Sequence, residues 1–214
     1  MDSAFMESFA QAACALGIET TRFEFAYMAE RRGCGKRRPP PRIDTLVPVF
    51  KAVTARWCAE AEGARDAVHL IGGKSMGGRI ATHLATMPGD DSGDVDLSGP
   101  TRDTSPELRL PEQIDGVVCL GYPFHPQGKP DTLRTAHLPH LVRSTLIVQG
   151  ERDPFGAKDE VAGYALGTRI TLHWLTDGDH DFGPRGRSGA TRRGNIGAAA
   201  AHVAAFADAL AAAR

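Results

Sequence analysis

The sequence predicts an α/β fold with a doubly wound, mostly parallel sheet, and three observations favour it. Short apolar runs of strand length alternate with longer segments of helical period. Residues able to do acid–base and nucleophilic chemistry directly follow three of these runs, where strands would end. The chain has 214 residues, 42% of them hydrophobic, which fits a single domain over 1–214 with a sizeable core.

The N-terminal third predicts two helices and one strand. The first helix runs from about residue 3 to 16, capped by Asp2 or Ser3. Its apolar stripe consists of Phe5, Met6, Phe9 and Ala13. The segment 21–27 is a predicted strand, and a second helix capped by Asp44 follows over 44–62. Its apolar face consists of Leu46, Val49, Phe50, Val53 and Trp57.

The remainder of the chain predicts alternating strands and helices. Residues 88–113 are acidic and rich in Gly, Pro and Ser without a clear period, so we expect a long loop or flexible insertion there. The alternation elsewhere implies a parallel, doubly wound sheet. The predicted strands cover 66–71, 116–121, 144–149 and 169–175, and the predicted helices cover 76–87, 158–166 and 195–213.

A Gly-x-Ser-x-Gly turn at 73–77 joins a predicted strand to a predicted helix. This arrangement is typical of a nucleophile elbow, in which Ser75 has a strained backbone and sits at the helix N-terminus. We expect Gly73 and Gly77 to be required because a side chain at either position would collide across the turn. The backbone N–H of Met76 can then point at a developing oxyanion.

Two other interpretations of the same residues were weighed. Gly73-Lys74-Ser75 resembles the end of a phosphate-binding loop, but such a loop needs a glycine at position 68, which is Val68. The spacing therefore excludes a nucleotide-binding loop. An ordinary glycine-rich turn between a strand and a helix remains an alternative for the pentapeptide alone.

The chain also supplies a carboxylate and a histidine in the order such a serine needs. Asp153 follows the strand over 144–149, and His180 follows the strand over 169–175. The C-terminal ends of strands form the edge where open α/β sheets place their sites. We therefore predict that His180 is the general base for Ser75 and that Asp153 orients His180. The competing carboxylates in these loops are Glu151, Asp177, Asp179 and Asp181.

Three motifs occur together in this chain: Gly-Lys-Ser-Met-Gly-Gly-Arg at 73–79, Leu-Gly-Tyr-Pro-Phe-His-Pro at 120–126 and Gly-Glu-Arg-Asp-Pro-Phe-Gly at 150–156. Together with the basic, proline-rich segment 31–42, they resemble small α/β-hydrolases related to dienelactone hydrolase. They are most similar to the branch shared by bacterial predicted hydrolases and the hydrolase-like domain of a chromatin-complex subunit.

The resemblance covers nearly the whole chain. It implies an α/β-hydrolase fold and hydrolysis of an ester-like bond in a small acyl substrate, with Ser75, Asp153 and His180 as the triad. It implies no cofactor and no particular substrate. For some members of the branch it implies a role as an interaction module instead of an enzyme.

The resemblance also implies an N-terminal strand and a His-Gly-type loop that precede the first helix predicted here and supply a second oxyanion donor. The strand would lie between the strands over 21–27 and 66–71. We expect either a coding sequence that begins upstream of Met1 or a truncated, less active hydrolase that pairs these two strands differently.

Several further residues have both a functional and a structural interpretation. Tyr122, Phe124 and His125 follow a strand end, so they either line a substrate pocket or pack in the core. His137 and His140 lie three apart without an evident third ligand, so we expect surface or loop histidines and no metal site. His173 is a weak candidate base because it lies inside a predicted strand.

Composition limits the possible partners. The formal net charge is −1, so no overall field favours nucleic acid or a membrane surface. The four cysteines, which form no C-x-x-C pair or zinc spacing, are Cys14, Cys34, Cys58 and Cys119. The first residues lack the basic and apolar regions of a signal peptide, so we expect a cytoplasmic protein. The sequence does not indicate an oligomeric state.

Overall fold

Four parallel strands and the helices around them form the fold in the computed structural model, which describes residues 3–34, 41–61, 66–86 and 110–214. The strands are β1 (Leu70–Lys74), β2 (Gly116–Leu120), β3 (Ser144–Gly150) and β4 (Ile170–Leu175). The helices are α1 (Ala4–Cys14), α2 (Ala26–Cys34), α3 (Ile43–Glu60), α4 (Met76–Leu84), α5 (Lys158–Val161) and α6 (Arg192–Ala212), with a short 3₁₀ turn at Leu138–His140.

The sheet has the order β1-β2-β3-β4, and every neighbouring pair is parallel. All four strands therefore end at one edge, and the loops that follow β1, β3 and β4 meet there. Helices cover both faces of the sheet, as a parallel sheet with crossover helices requires. The predicted doubly wound α/β fold is confirmed.

Two hydrophobic cores lie on opposite faces of the sheet. On one face, α1 and α6 pack together over the sheet, and Phe5, Phe9 and Ala13 of α1 are buried at the four-residue spacing of a helical stripe. On the other face, α3 packs against α4, which in turn packs on β1 and β2. Ser3 caps α1 by accepting a hydrogen bond from the Met6 N–H at 3.2 Å.

The predicted strand over 21–27 is wrong. Residues 18–25 have no regular structure, and α2 begins at Ala26. Within the described residues no strand lies beside the outer edge of β1, so the strand that the segment 21–27 was expected to pair with is not among them. The aromatic side chains of this segment pack instead, with the ring of Phe23 5.2 Å from that of Phe50 on α3. The apolar pattern of 21–27 therefore reflects partial burial of its aromatic side chains and not pairing of its backbone in a sheet.

The observed bounds of all five predicted helices differ from their predictions. Arg42, and not Asp44, occupies the cap position of α3, while Asp44 lies in the first turn and pairs with Arg42 at 3.2 Å. Val49 is 45% exposed, so it does not belong to the buried face of that helix. The helix predicted over 158–166 ends at Val161. The terminal helix starts earlier than predicted because Thr191 caps it by accepting a hydrogen bond from the Gly194 N–H.

Two predicted features lie wholly or partly outside the described residues. The expected insertion at 88–113 is described only from Leu110, which is buried against the core. Part of the basic segment 31–42 lies outside as well, and its first four residues belong to α2.

One described helix, α6, is long and apolar enough by length and composition to cross a membrane. Those two criteria do not distinguish a membrane span from a core helix. In this structure α6 packs against α1 and the sheet and buries Ile196, Ala199 and Val203.

Candidate functional site

Ser75 occupies the sharp turn between β1 and α4. Its backbone has φ 53° and ψ −117°, a region that non-glycine residues rarely adopt. Such strain persists only where the surrounding structure enforces it, and it concentrates at functional sites. The turn brings the serine to the C-terminal edge of the sheet and to the N-terminus of a helix, as the motif predicts.

The glycines around the turn have different packing constraints. A Cβ on Gly73 would lie 3.0 Å from the Gly77 backbone, and a Cβ on Gly78 would lie 2.9 Å from the carbonyl oxygen of Gly73 and 3.0 Å from the Cβ of Cys119. A Cβ on Gly77 would meet nothing within 4 Å. The expectation that Gly77 is required to avoid a collision is therefore wrong, and Gly78 is the second crowded position.

The structure brings Ser75, His180 and Asp153 into one hydrogen-bonded chain. The Ser75 Oγ lies 2.9 Å from His180 Nε2, and His180 Nδ1 lies 2.8 Å from Asp153 Oδ2. An ionised carboxylate only accepts hydrogen bonds, so Nδ1 carries the proton in the neutral imidazole and Nε2 is free to accept from the hydroxyl. Asp153 is fully buried, whereas the His180 side chain is 20% exposed.

Asp153 is fixed by groups on β3 and the following loop. The Phe155 N–H donates to Asp153 Oδ1 at 2.9 Å, and Gln149 Nε2 donates to Asp153 Oδ2 at 2.9 Å. Gln149, which is fully buried, also binds both backbone groups of Tyr122 after β2. Gln149 was not among the predicted site residues, although a polar residue within the apolar strand 144–150 is a signal that something polar is buried beside it.

The His180 loop is a tight structure whose own carboxylates support it. Asp179 Oδ1 accepts hydrogen bonds from the backbone N–H groups of Asp181 and Gly183, at 2.9 and 2.8 Å. Phe182 adopts a positive φ of 64° and is fully buried against the ring of Phe5 on α1. These contacts hold the loop against α1.

The competing carboxylates have structural partners. Asp177 pairs with Arg152 and Arg185, and its hydrogen bond to the Arg185 side chain is the largest effect that lowers the pKa of Asp177 to about 2. A hydrogen bond from Lys158 likewise lowers the pKa of Glu151. Of the candidate carboxylates, only Asp153 is hydrogen-bonded to His180.

The other histidines considered as bases have partners elsewhere. His125 is buried and pairs with Glu160 at 2.9 Å. His173 stacks on His202 of α6, with ring centroids 3.9 Å apart. The geometry therefore favours His180 as the partner of Ser75.

Tyr122 and Phe124, which were predicted either to line a substrate pocket or to pack in the core, are both fully buried. Their rings contact each other at 4.9 Å, and the Tyr122 hydroxyl donates to the Arg134 carbonyl at 2.8 Å. A Cβ on Gly156 would lie 2.5 Å from the Phe124 ring, so that ring is tightly enclosed. Of the two interpretations left open above, these contacts favour packing.

His137 was predicted to be a surface or loop histidine; it lies in the loop before the 3₁₀ turn at Leu138–His140, but its side chain is buried, with 3% exposed. Its ring stacks on that of His83 of α4 at 3.7 Å, and Nε2 lies 2.9 Å from Thr82 Oγ1. Burial lowers the pKa of His137 to about 3, so this imidazole is neutral at ordinary pH. Within the described ranges no three metal-ligating side chains cluster, at His137 and His140 or elsewhere.

A cavity of about 500 Å³ lies at the opposite edge of the sheet from Ser75. It is bordered by Ser144 at the start of β3, by Arg169 before β4 and by Phe206 of α6. No acid–base pair lies there, so the hydrogen-bonded chain at the C-terminal edge remains the candidate site.

Comparison with known proteins agrees with this fold. The alpha/beta hydrolase domain family matches residues 1–208 of the chain. The chain is also similar to the crystal structure of the esterase domain from a Rhodothermus marinus protein, with a TM-score of 0.53 and 14% sequence identity, covering 95% of this chain and 78% of that chain. At that identity the second likeness concerns the fold. The family match spans almost the entire sequence, and this protein therefore belongs to the alpha/beta hydrolase domain family.

Proposed function

We propose that this protein is a serine hydrolase that cleaves an ester, thioester or related acyl bond in a small molecule. The observation that carries the proposal is the continuous hydrogen-bonded chain from Asp153 through His180 to Ser75. Family membership supports hydrolase activity in general, and the strained turn at Ser75 supports the role of that residue in it.

The proposed reaction begins when the Ser75 Oγ attacks the acyl carbon and His180 Nε2 takes the hydroxyl proton. His180 then donates this proton to the departing alkoxide or thiolate, which leaves an acyl group on Ser75. In the second half, His180 activates a water that releases the acid and restores the serine. Asp153 holds the imidazole in the required tautomer and stabilises its protonated form.

The negative charge that develops on the substrate oxygen needs fixed donors. Met76 is the first residue of α4, and the first N–H groups of a helix have no acceptor within the helix. We therefore assign the Met76 N–H as one oxyanion donor, aided by the positive end of the helix dipole. The mechanism requires no cofactor.

The test is labelling with a fluorophosphonate, which reacts with an activated serine, together with hydrolysis of short p-nitrophenyl esters. Ser75→Ala should abolish labelling and lower the rate by about 10⁴-fold or more. The matched control is Ser8→Ala on the exposed face of α1, which should behave like the wild type.

Full labelling of folded Ser75→Ala would contradict the assignment of the nucleophile. A folded wild-type chain that neither labels nor hydrolyses esters would contradict the enzyme proposal itself and favour the non-catalytic interaction module that the resemblance also allows.

A further inference from the structure

Lys74 is the last residue of β1 and directly precedes Ser75, but its side chain points away from bulk solvent. The side chain is only 15% exposed, and its Nζ lies 5.3 Å from the centroid of the Phe5 ring on α1. Nζ also lies 3.4 Å from Asp181 Oδ1, in the loop that carries His180. A long cationic side chain is thus held inside the site.

The ammonium group lies close to the imidazole of His180. A Cβ on Gly121 would lie 3.2 Å from Lys74 Nζ and 3.3 Å from His180 Nδ1. The two nitrogens are therefore no farther apart than the sum of those distances. Gly121 has a φ of +69° and no side chain, and both features leave room for this approach.

The charges around this group come from three parts of the fold. Asp153 follows β3, Asp179 and Asp181 follow β4, and Arg192 of α6 donates to the Asp181 carbonyl at 3.1 Å. Burial lowers the pKa of Lys74, and Asp181, Asp153 and Asp179 act in the opposite direction. These carboxylates favour the ammonium form.

We propose that Lys74 is a positioning residue for the proposed reaction, whose ammonium sets the pH range in which His180 is available as a base. A fixed positive charge near an imidazole disfavours the imidazolium, whereas the carboxylate of Asp153 favours it. The charges of Lys74 and Asp153 therefore act on the imidazole in opposite directions. The inference rests on the proposed function, because it assigns Lys74 a role in that reaction.

The experiment compares Lys74→Met, which removes the charge but keeps the length, with Lys74→Arg, which keeps the charge. Lys74→Gln serves as a second neutral variant if Lys74→Met does not fold. Lys129→Met, in an exposed loop, is the matched control. The ring signal of His180, assigned by comparison with His180→Gln, is followed by NMR from pH 5 to 9, and fluorophosphonate labelling rates are measured over the same range.

The neutral variants should move the titration midpoint of His180 upward by about 0.5–1 pH unit, a modest part of what a close charge can produce. Labelling at pH 6 should then fall about threefold to tenfold, while the rate at pH 9 changes little. Lys74→Arg and Lys129→Met should keep the wild-type midpoint.

An unchanged midpoint in a folded neutral variant, or an equal shift in Lys74→Arg, would overturn the role of Lys74. The NMR titration needs no turnover, so it tests this inference even if wild-type labelling fails. Absent wild-type labelling would instead count against the proposed function.

Discussion

Cys119 and Gly78 are in contact where α4 crosses β2. The Cys119 Sγ lies 3.5 Å from the Gly78 carbonyl oxygen, and both residues are buried. Helix α4 can approach this closely only because position 78 has no side chain. The close contact of α4 with β2 positions the backbone of Ser75 and the Met76 N–H at the start of that helix. The absence of a side chain at position 78 therefore helps to set the geometry of the site.

Gly78→Ala should therefore lower the free energy of unfolding by about 1–3 kcal/mol, because backbone and core atoms must shift to admit a methyl group. The matched variant Gly77→Ala should be neutral or gain up to about 1 kcal/mol, since alanine is the better helix former and the space there is open. Urea denaturation of both variants measures the difference. Equal losses in the two would show that the crowding at position 78 does not limit α4.

At the scale of elements, β3 connects the two halves of the site through Gln149. Its side chain spans from the backbone of Tyr122 after β2 to Asp153 in the loop after β3, and it also reaches the Gly156 carbonyl at 3.3 Å. The position of the buried carboxylate thus depends on a side chain from the preceding strand. The loop that carries Asp153 is held from both ends.

Gln149→Leu should leave the buried Tyr122 N–H without an acceptor and remove one of the two hydrogen bonds to Asp153 Oδ2, which keeps the one from His180. A buried polar group without a partner costs about 1–3 kcal/mol and a lost hydrogen bond about 1 kcal/mol, so we expect a total loss of about 2–4 kcal/mol in stability and a slower labelling of Ser75. Gln11→Leu, on the exposed face of α1, should stay within about 0.5 kcal/mol of the wild type. A stable, fully active Gln149→Leu protein would rule out this anchoring role.

The elements that the sequence predicted well are those with local signals. An apolar run followed by a turn is enough to place β2, β3 and β4 to within one residue, whereas β1 begins at Leu70 and not at residue 66 as predicted. Parallel strands bring the residues after them to one edge, so the same logic predicts that Ser75, Asp153 and His180 lie together. The Gly-x-Ser-x-Gly turn alone indicates Ser75, and the chain order serine, carboxylate, histidine indicates Asp153 and His180.

The features that the sequence could not predict depend on neighbours distant in the chain. A strand over 21–27 requires a partner edge, and the sequence pattern does not reveal whether one exists. Tyr122 and Phe124 follow a strand end whether they line a pocket or fill the core, and only packing decides. Gln149 is a single polar residue whose partners lie in two other segments.

At the scale of the whole molecule, buried polar side chains lie on both faces of the sheet. Asn195 of α6 is buried and donates to the Phe182 carbonyl, whereas the α4 side contains the stacked pair His83 and His137. Burial is the largest effect that lowers the pKa of both histidines, and the positive charge of Arg79 lowers it further. Because the folded state disfavours the charged form of both rings, protonation of either ring favours unfolding of this side of the fold.

The free energy of unfolding should consequently fall as the pH drops from about 6.5 toward 3. The unfolded chain binds a proton at His137 with an ordinary pKa near 6.5, while the folded chain binds it only near a pKa of about 3. The stabilisation is fully present above the unfolded value and is lost on acidification, at up to about 1.4 kcal/mol per pH unit for each histidine.

Denaturation of the wild type and of His137→Gln at several pH values between 7 and 4 tests this linkage. The variant should have a shallower dependence on pH, whereas His69→Gln, a half-buried histidine before β1, should keep the wild-type slope. Identical slopes in wild type and His137→Gln would show that His137 does not control acid stability.

The separation of the site residues along the chain also has a consequence during translation. Ser75 and His180 are 105 residues apart. At ordinary elongation rates, Ser75 is synthesised about 5–20 s before His180. Under the proposed mechanism the hydroxyl has no base throughout that interval, so the nascent chain on the ribosome should not attack esters. We therefore expect fluorophosphonate labelling of Ser75 only after β4 and the loop that carries His180 have docked.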